Sequence, residues 1–159
     1  MEIVVRSYTI KDVDVTIEIF LRAIREVCSR DYTPAQVDAW AKVEDGAVWA
    51  ARRASRPTWI AHIGAQAVGF ADLTSDGLLD MMFVHPEFQG LGIASRLLES
   101  VENEAQRQGF ARVHTEASKT ARPFFERRGF HVLKAQTVEK RGQRLENFLM
   151  EKSCHAGLP

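Results

Sequence analysis

Apolar positions along the chain fall into blocks of two alternating periods. Ile3, Val4 and Val5 form a short apolar run, and Val13, Ile17, Phe20, Leu21, Ile24 and Val27 follow at helical spacing behind Thr9 or Asp12 as start signals. A strand and an amphipathic helix are predicted. In "SRDYTPAQVDAWAKVEDGAVWAARRASRP", Thr33 is placed as an N-cap with Pro34 at the first helical position, and a shorter helical piece carries Val48 and Trp49. This segment reads as loop-rich with exposed aromatic residues. "TWIAHIG" and "QAVGFADLT" are strand-like runs joined at Gly64-Ala65, and "GLLDMMFV" is a third run opened by Asp76-Gly77. Together they predict an antiparallel meander.

In the second half, Ala94, Leu97, Leu98, Val101 and Ala105 mark one face of a helix that Gly109 ends. "FARVHTEA" reads as a strand, Ala121, Phe124 and Phe125 as a short helix stopped by Gly129, and "FHVLKAQTVEK" with "LENFLMEK" as a closing hairpin. Strand, helix and strand between Val84 and Ala117 imply a parallel pair with a crossover helix inside an otherwise antiparallel sheet. The predicted class is α+β (mixed α/β).

A length of 159 residues with 45% hydrophobic content suits one core, so a single domain over 1–159 is expected. The 21 basic and 21 acidic residues balance, which argues against nucleic acid as a partner. Two cysteines, Cys28 in a helical pattern and Cys154 in a polar tail, do not make a disulfide framework. The first residues lack a basic region followed by a long apolar segment, and no membrane-length apolar run follows. These features lead to the expectation of a soluble, cytoplasmic protein with no membrane partner.

One stretch departs from simple packing logic. "VHPEFQGLGIASRLL" leaves an apolar run, turns through Pro86, and places Gly90 and Gly92 where a helix begins. Glycine costs a helix interior about 1 kcal/mol relative to alanine, so two at a helix start suggest close approach to the backbone. The amides of Gly90, Leu91, Gly92, Ile93 and Ala94 lack intrahelical acceptors there and, with the helix dipole, form an anion site suited to a pyrophosphate. A Walker A loop is excluded by the missing Gly-Lys-Ser/Thr, and the spacing does not fit Gly-x-Gly-x-x-Gly with a later acid. The alternative is a tight strand-to-helix turn with no ligand.

Val84-x-Pro86-x-x-Gln89-x-x-Gly92-x-Ala94 resembles the acyl-CoA signature of the GNAT N-acetyltransferase superfamily. "VRSYTIKD", "VGFADL" and "ARPFFERRGF" also resemble family segments, in the expected order, from about Ile3 to about Lys152. The resemblance implies a mostly antiparallel seven-stranded sheet with a splayed parallel pair at strands 4 and 5 and helices on both faces. It implies acetyl-CoA as co-substrate and no metal. The backbone of Gln89, Gly90, Leu91, Gly92, Ile93, Ala94 and Ser95 would hold the pyrophosphate, and the main chain of Phe83 and Val84 would pair with the pantetheine arm. Pantetheine carries two amides, so main-chain groups exposed where strands part suit it.

Amine attack on a thioester needs a neutral amine, a stabilised oxyanion and a thiolate that can leave. Asp80 interrupts "LLDMMFV", where the family often carries a glutamate base; it reads as a partly desolvated general base or as an edge residue facing solvent. His114, Glu116 and His85 are weaker candidates. Phe125 stands where the family usually has a tyrosine acid, and Ser118 where an asparagine often contacts the cofactor. A phenyl ring donates no proton, so thiolate release falls to water or to another donor such as Tyr32. Phe124 and Phe125 pack against the cofactor arm or the core. Resemblance places the acceptor near Tyr32, Trp40, Trp49 and the strand around Asn147. The acceptor is either a small-molecule amine or a protein amine, and the assembly a monomer or homodimer. A non-catalytic acyl-CoA-binding or regulatory module is the alternative.

Overall fold

The structure, a computed structural model, describes residues 2–154. β1 (Ile3–Ser7), β2 (Thr58–Ile63) and β3 (Gln66–Asp72) pair antiparallel in that order. The run read as one third strand is two: β4 (Leu78–Leu79) and β5 (Met82–Val84). β5 joins β3 antiparallel and completes a four-stranded sheet, β1-β2-β3-β5. β4 instead lies parallel to β6 (Arg112–Ser118) in a second sheet of order β4-β6-β8-β7. The hairpin of β7 (His131–Lys140) and β8 (Gln143–Ser153) turns through Arg141 and Gly142, both at positive φ, 46° and 83°, as a type I′ turn requires.

Counted as one strand, residues 78–84 bring the sheet to seven, mostly antiparallel with one parallel pair. That pair holds register only at Leu78–His114 and Leu79–Thr115, and then the strands part. The mixed α+β fold is the one the sequence pattern predicts.

Among the described residues five α-helices complete it: α1 (Val13–Glu26), α2 (Pro34–Trp40), α3 (Gly46–Ala54), α4 (Ile93–Arg107) and α5 (Arg122–Arg127). Thr9 caps a short 3-10 turn ahead of α1, and Thr33 forms a capping box with Gln36 at the start of α2. Strand alternation sends Ile60 and Phe70 to one face, where Ile19, Phe20 and Ile24 of α1 cover them, and Ala61 and Ala71 to the other, where Leu97, Leu98 and Val101 of α4 pack. Gly69 permits this second contact: a Cβ there would lie 3.0 Å from Ile93 and 3.1 Å from Leu97. The aromatic residues expected at the surface of the 29–57 segment belong to the core or pack against it. Tyr32 and Trp49 are buried, and the Trp49 indole donates to Thr16 Oγ1 at 3.0 Å.

Candidate active site

The break between β4 and β5 has a local cause. Asp72, at the end of β3, accepts the Met81 N–H on its side-chain Oδ1 at 2.8 Å, while its own N–H donates to the Met81 carbonyl at 2.9 Å. Met81 is thus bonded to one side chain and one main-chain group of the same residue, and the ladder to β6 cannot continue past Leu79. Asp72 is wholly buried, and desolvation pushes its carboxyl up to about 6 against the pull of Arg53. Its Oδ2 lies 3.3 Å from Arg53 Nε and 3.6 Å from Arg56 Nη1.

Asp80, read as a partly desolvated base or as an edge residue facing solvent, lies between the two. Its side chain is 38% exposed and accepts a hydrogen bond from Arg56 Nη1 at 2.9 Å. The break at Asp80-Met81 leaves this carboxylate partly exposed, and the fully buried acid beside it is Asp72. Sequence reading passed over Asp72, although an acid closing the apolar run "VGFAD" was a visible signal.

The parted strands leave two cavities. A groove of about 510 Å³ runs along β5, the start of α4 and α5. Of the proposed cofactor residues, Phe83, Val84, Gln89, Gly90, Gly92, Ile93, Ala94, Ser95, Ser118, Phe124 and Phe125 all line it. Leu91 does not: its side chain is 41% exposed, so any role it has there is through its amide. Gly92 N-caps α4 at φ 86° without a side-chain hydrogen bond to the first-turn amides, which leaves those donors for an anion. Arg127 and Arg128 line the same groove; Arg128 is hydrogen-bonded to Ser95 and stacked over Phe124, 5.1 Å from the ring centre.

Main-chain direction along β5 corrects one detail. The His85 N–H donates to the Val68 carbonyl and the Asp72 N–H to the Met81 carbonyl. In an antiparallel ladder every second residue faces the same neighbour. Phe83, opposite Phe70, therefore turns its main chain toward β3, and Met82 and Val84 present theirs to the cleft. Phe83 contributes its ring, and the Val84 carbonyl already accepts from Gln89 Nε2 at 3.0 Å.

A second cavity, about 190 Å³, lies on the far side of the cleft and shares Met82, Phe83, Ser118, Ala121 and Phe125 with the first. Asp80, Glu116, Tyr32, Trp40 and Asn147 line it, whereas Trp49 and His114 do not. The Tyr32 hydroxyl is committed: it donates to the Glu146 carbonyl at 2.6 Å and accepts the Lys119 N–H at 2.9 Å. Desolvation raises its pKa above the ordinary phenol value. His85, read as a candidate or a surface residue, is buried beside Phe88, with Nδ1 accepting the Glu87 N–H at 3.1 Å.

The fold that carries this cleft is shared with known acetyltransferases. The family profile described as the acetyltransferase (GNAT) domain matches residues 28–153. The chain is 38% identical to the uncharacterised N-acetyltransferase YafP of Escherichia coli (strain K12), over 92% of this chain and 93% of that protein. It superposes with a TM-score of 0.93 and 34% identity on a GCN5-related N-acetyltransferase from Rhodopseudomonas palustris, covering 96% of each chain. PaiA N-acetyltransferase from Thermoplasma acidophilum, in complex with coenzyme A, shares the fold at 19% identity and a TM-score of 0.76, over 96% of this chain and 99% of that one. The chain belongs to the GNAT acetyltransferase family and is an acetyltransferase enzyme. No helix among the described residues is long and apolar enough to cross a membrane.

Proposed function

We propose that this enzyme transfers the acetyl group of acetyl-CoA to a primary amine by direct attack. The observation that carries the reading is the shared wall of the two cavities. A thioester threaded between β5 and β6 past Phe83 and Ser118 meets an amine arriving from the side of Asp80 and Glu116.

The pyrophosphate is assigned to the first-turn amides of α4, with Arg127 and Arg128 adding positive charge. The pantetheine amides are assigned to the cleft-facing main chain of Met82 and Val84. Asp80 takes a proton from the incoming ammonium, directly or through one water. The amine nitrogen then bonds to the thioester carbon, and the negative charge on the carbonyl oxygen is met by the free Met82 N–H. Collapse breaks the carbon–sulfur bond and expels the thiolate, and the newly bonded nitrogen gives up its remaining ammonium proton to solvent to leave the neutral amide. With Phe125 in the groove and the Tyr32 proton held by Glu146, the thiolate takes its proton from water, a tolerable step for a leaving group of pKa near 8.5.

A panel of primary amines, scored for release of free CoA thiol from acetyl-CoA, tests the reading. Amine-dependent release is expected. Tight binding of acetyl-CoA with no release across small amines and peptide N-termini would favour a non-catalytic acyl-CoA-binding module.

A further inference from the structure

We propose that the acceptor is an amine bearing a carboxylate, with its ammonium end in the cavity beside Asp80 and its anionic end in a separate basic cavity next door. This rests on the acetyl-transfer reading above and assigns the same acceptor pocket its substrate class.

The neighbouring cavity, about 430 Å³, shares Phe20, Trp40, Met81 and Lys140 with the acceptor cavity. The two have opposite charge. Asp80, Glu116 and Glu146 face a single cation, Lys140, in the first; in the second, five cationic side chains face Glu44 and Asp45. Both of those acids are already engaged. Glu44 pairs with Arg141 at 2.8 Å, and the Asp45 carboxylate caps α3 by accepting the Ala47 and Val48 amides. Lys42, Arg52 and Lys140 make no ion pair among the described residues.

A second observation comes from inside the wall. Arg53 lines this cavity, is 1% exposed, and has no hydrogen-bond acceptor at Nε or Nη1. Asp72 Oδ2, 3.3 Å away, supplies charge to it without a hydrogen bond, and the guanidinium is held 4.6 Å over the Trp49 ring. Buried donors without acceptors are rare and costly, and a guanidinium is the natural partner of a carboxylate. A net charge of zero over the whole chain hides this local separation. A diamine would place its second ammonium among like charges, and a neutral amine would leave the basic cavity unused.

The test uses the full chain and a length series of aminocarboxylates, from glycine to 5-aminopentanoate, each matched with its carboxamide. Thiol release from acetyl-CoA gives kcat and KM, and calorimetric titration in the presence of CoA gives binding independently of turnover. At least one aminocarboxylate is expected to show a KM tenfold or more below that of its amide. In the double variant Arg52→Gln/Lys140→Gln, with folding checked by circular dichroism, that ratio should fall toward one. Equal or better use of the amides would overturn the inference and leave acetyl transfer standing. If no amine releases thiol, the transfer reading fails and calorimetry decides the rest: aminocarboxylate binding lost in the variant supports the basic subsite, and equal binding of acid and amide, or none, overturns it.

Discussion

Asp80 lies at a bend between two strands, half in solvent, with a guanidinium at 2.9 Å. A carboxylate so placed is accessible to an incoming ammonium and is held in one orientation by Arg56. Asparagine preserves its shape and removes its capacity for a proton. Asp80→Asn should therefore leave acetyl-CoA affinity intact and lower turnover by roughly 10²-fold or more. The deficit should narrow as pH rises, because the amine then arrives already deprotonated. Turnover against pH for both proteins is the measurement; parallel curves of similar height would transfer the role to Glu116 or to water. Cys28 gives a second prediction at this scale. It is buried in the groove wall, and desolvation pushes its thiol up to about 11 from 9.0. At pH 8 it holds about a hundredth of the thiolate of an ordinary thiol, so iodoacetamide should label it about 100-fold more slowly, faster as pH climbs, and not at all under saturating acetyl-CoA. Peptide mass spectrometry reads both effects. Labelling unchanged by acetyl-CoA would mean that the co-substrate does not lie along this wall.

The start of α4 joins conformational need to ligand need. Gly92 sits at φ 86°, and a Cβ there would meet no atom within 4 Å, so a side chain is opposed by backbone strain and by the ligand rather than by protein contacts. Gly92→Ala should cost about 1–2 kcal/mol of stability from the left-handed backbone. It should also weaken acetyl-CoA binding by more than tenfold, which denaturant titration and calorimetry separate. Affinity unchanged in a folded variant would remove the anion site. Elements such as α4 were legible because Leu97, Leu98, Val101 and Ala105 repeat at one period, and the Gly64 and Gly129 punctuation carries positive φ. The broken strand was not, because "LLDMMFV" reads as one apolar run until Asp72, eight residues before Asp80, takes the Met81 amide. Local patterning cannot see a hydrogen bond supplied from a neighbouring strand. The groove residues were legible through the family signature, whereas Arg53, Arg56, Arg127 and Arg128 were not, since surface and site arginines look alike in a sequence.

Across the whole molecule, two four-stranded sheets are joined where residues 78–84 leave one and enter the other. Beyond Leu79 no ladder crosses between β5 and β6, and Tyr32 ties the end of β6 to β8 through Lys119 and Glu146. A co-substrate that bonds Met82 and Val84 across this cleft stabilises the folded state by mass action, by about 2.7 kcal/mol at a hundred times its Kd. Amide hydrogen exchange should slow at Met82, Val84 and the first turn of α4 on adding acetyl-CoA, with little change at the β7–β8 turn. Uniform slowing across the chain, or none at Met82 and Val84, would contradict the threading of pantetheine through the cleft. Considered mechanically, the bend at Asp80-Met81 is a joint between two plates, and a ligand bonded to Met82 and Val84 as proposed is a strut across it. On that reading each turnover sets the strut and removes it, so the body should be stiffest when the thioester meets the amine and should slacken when CoA leaves.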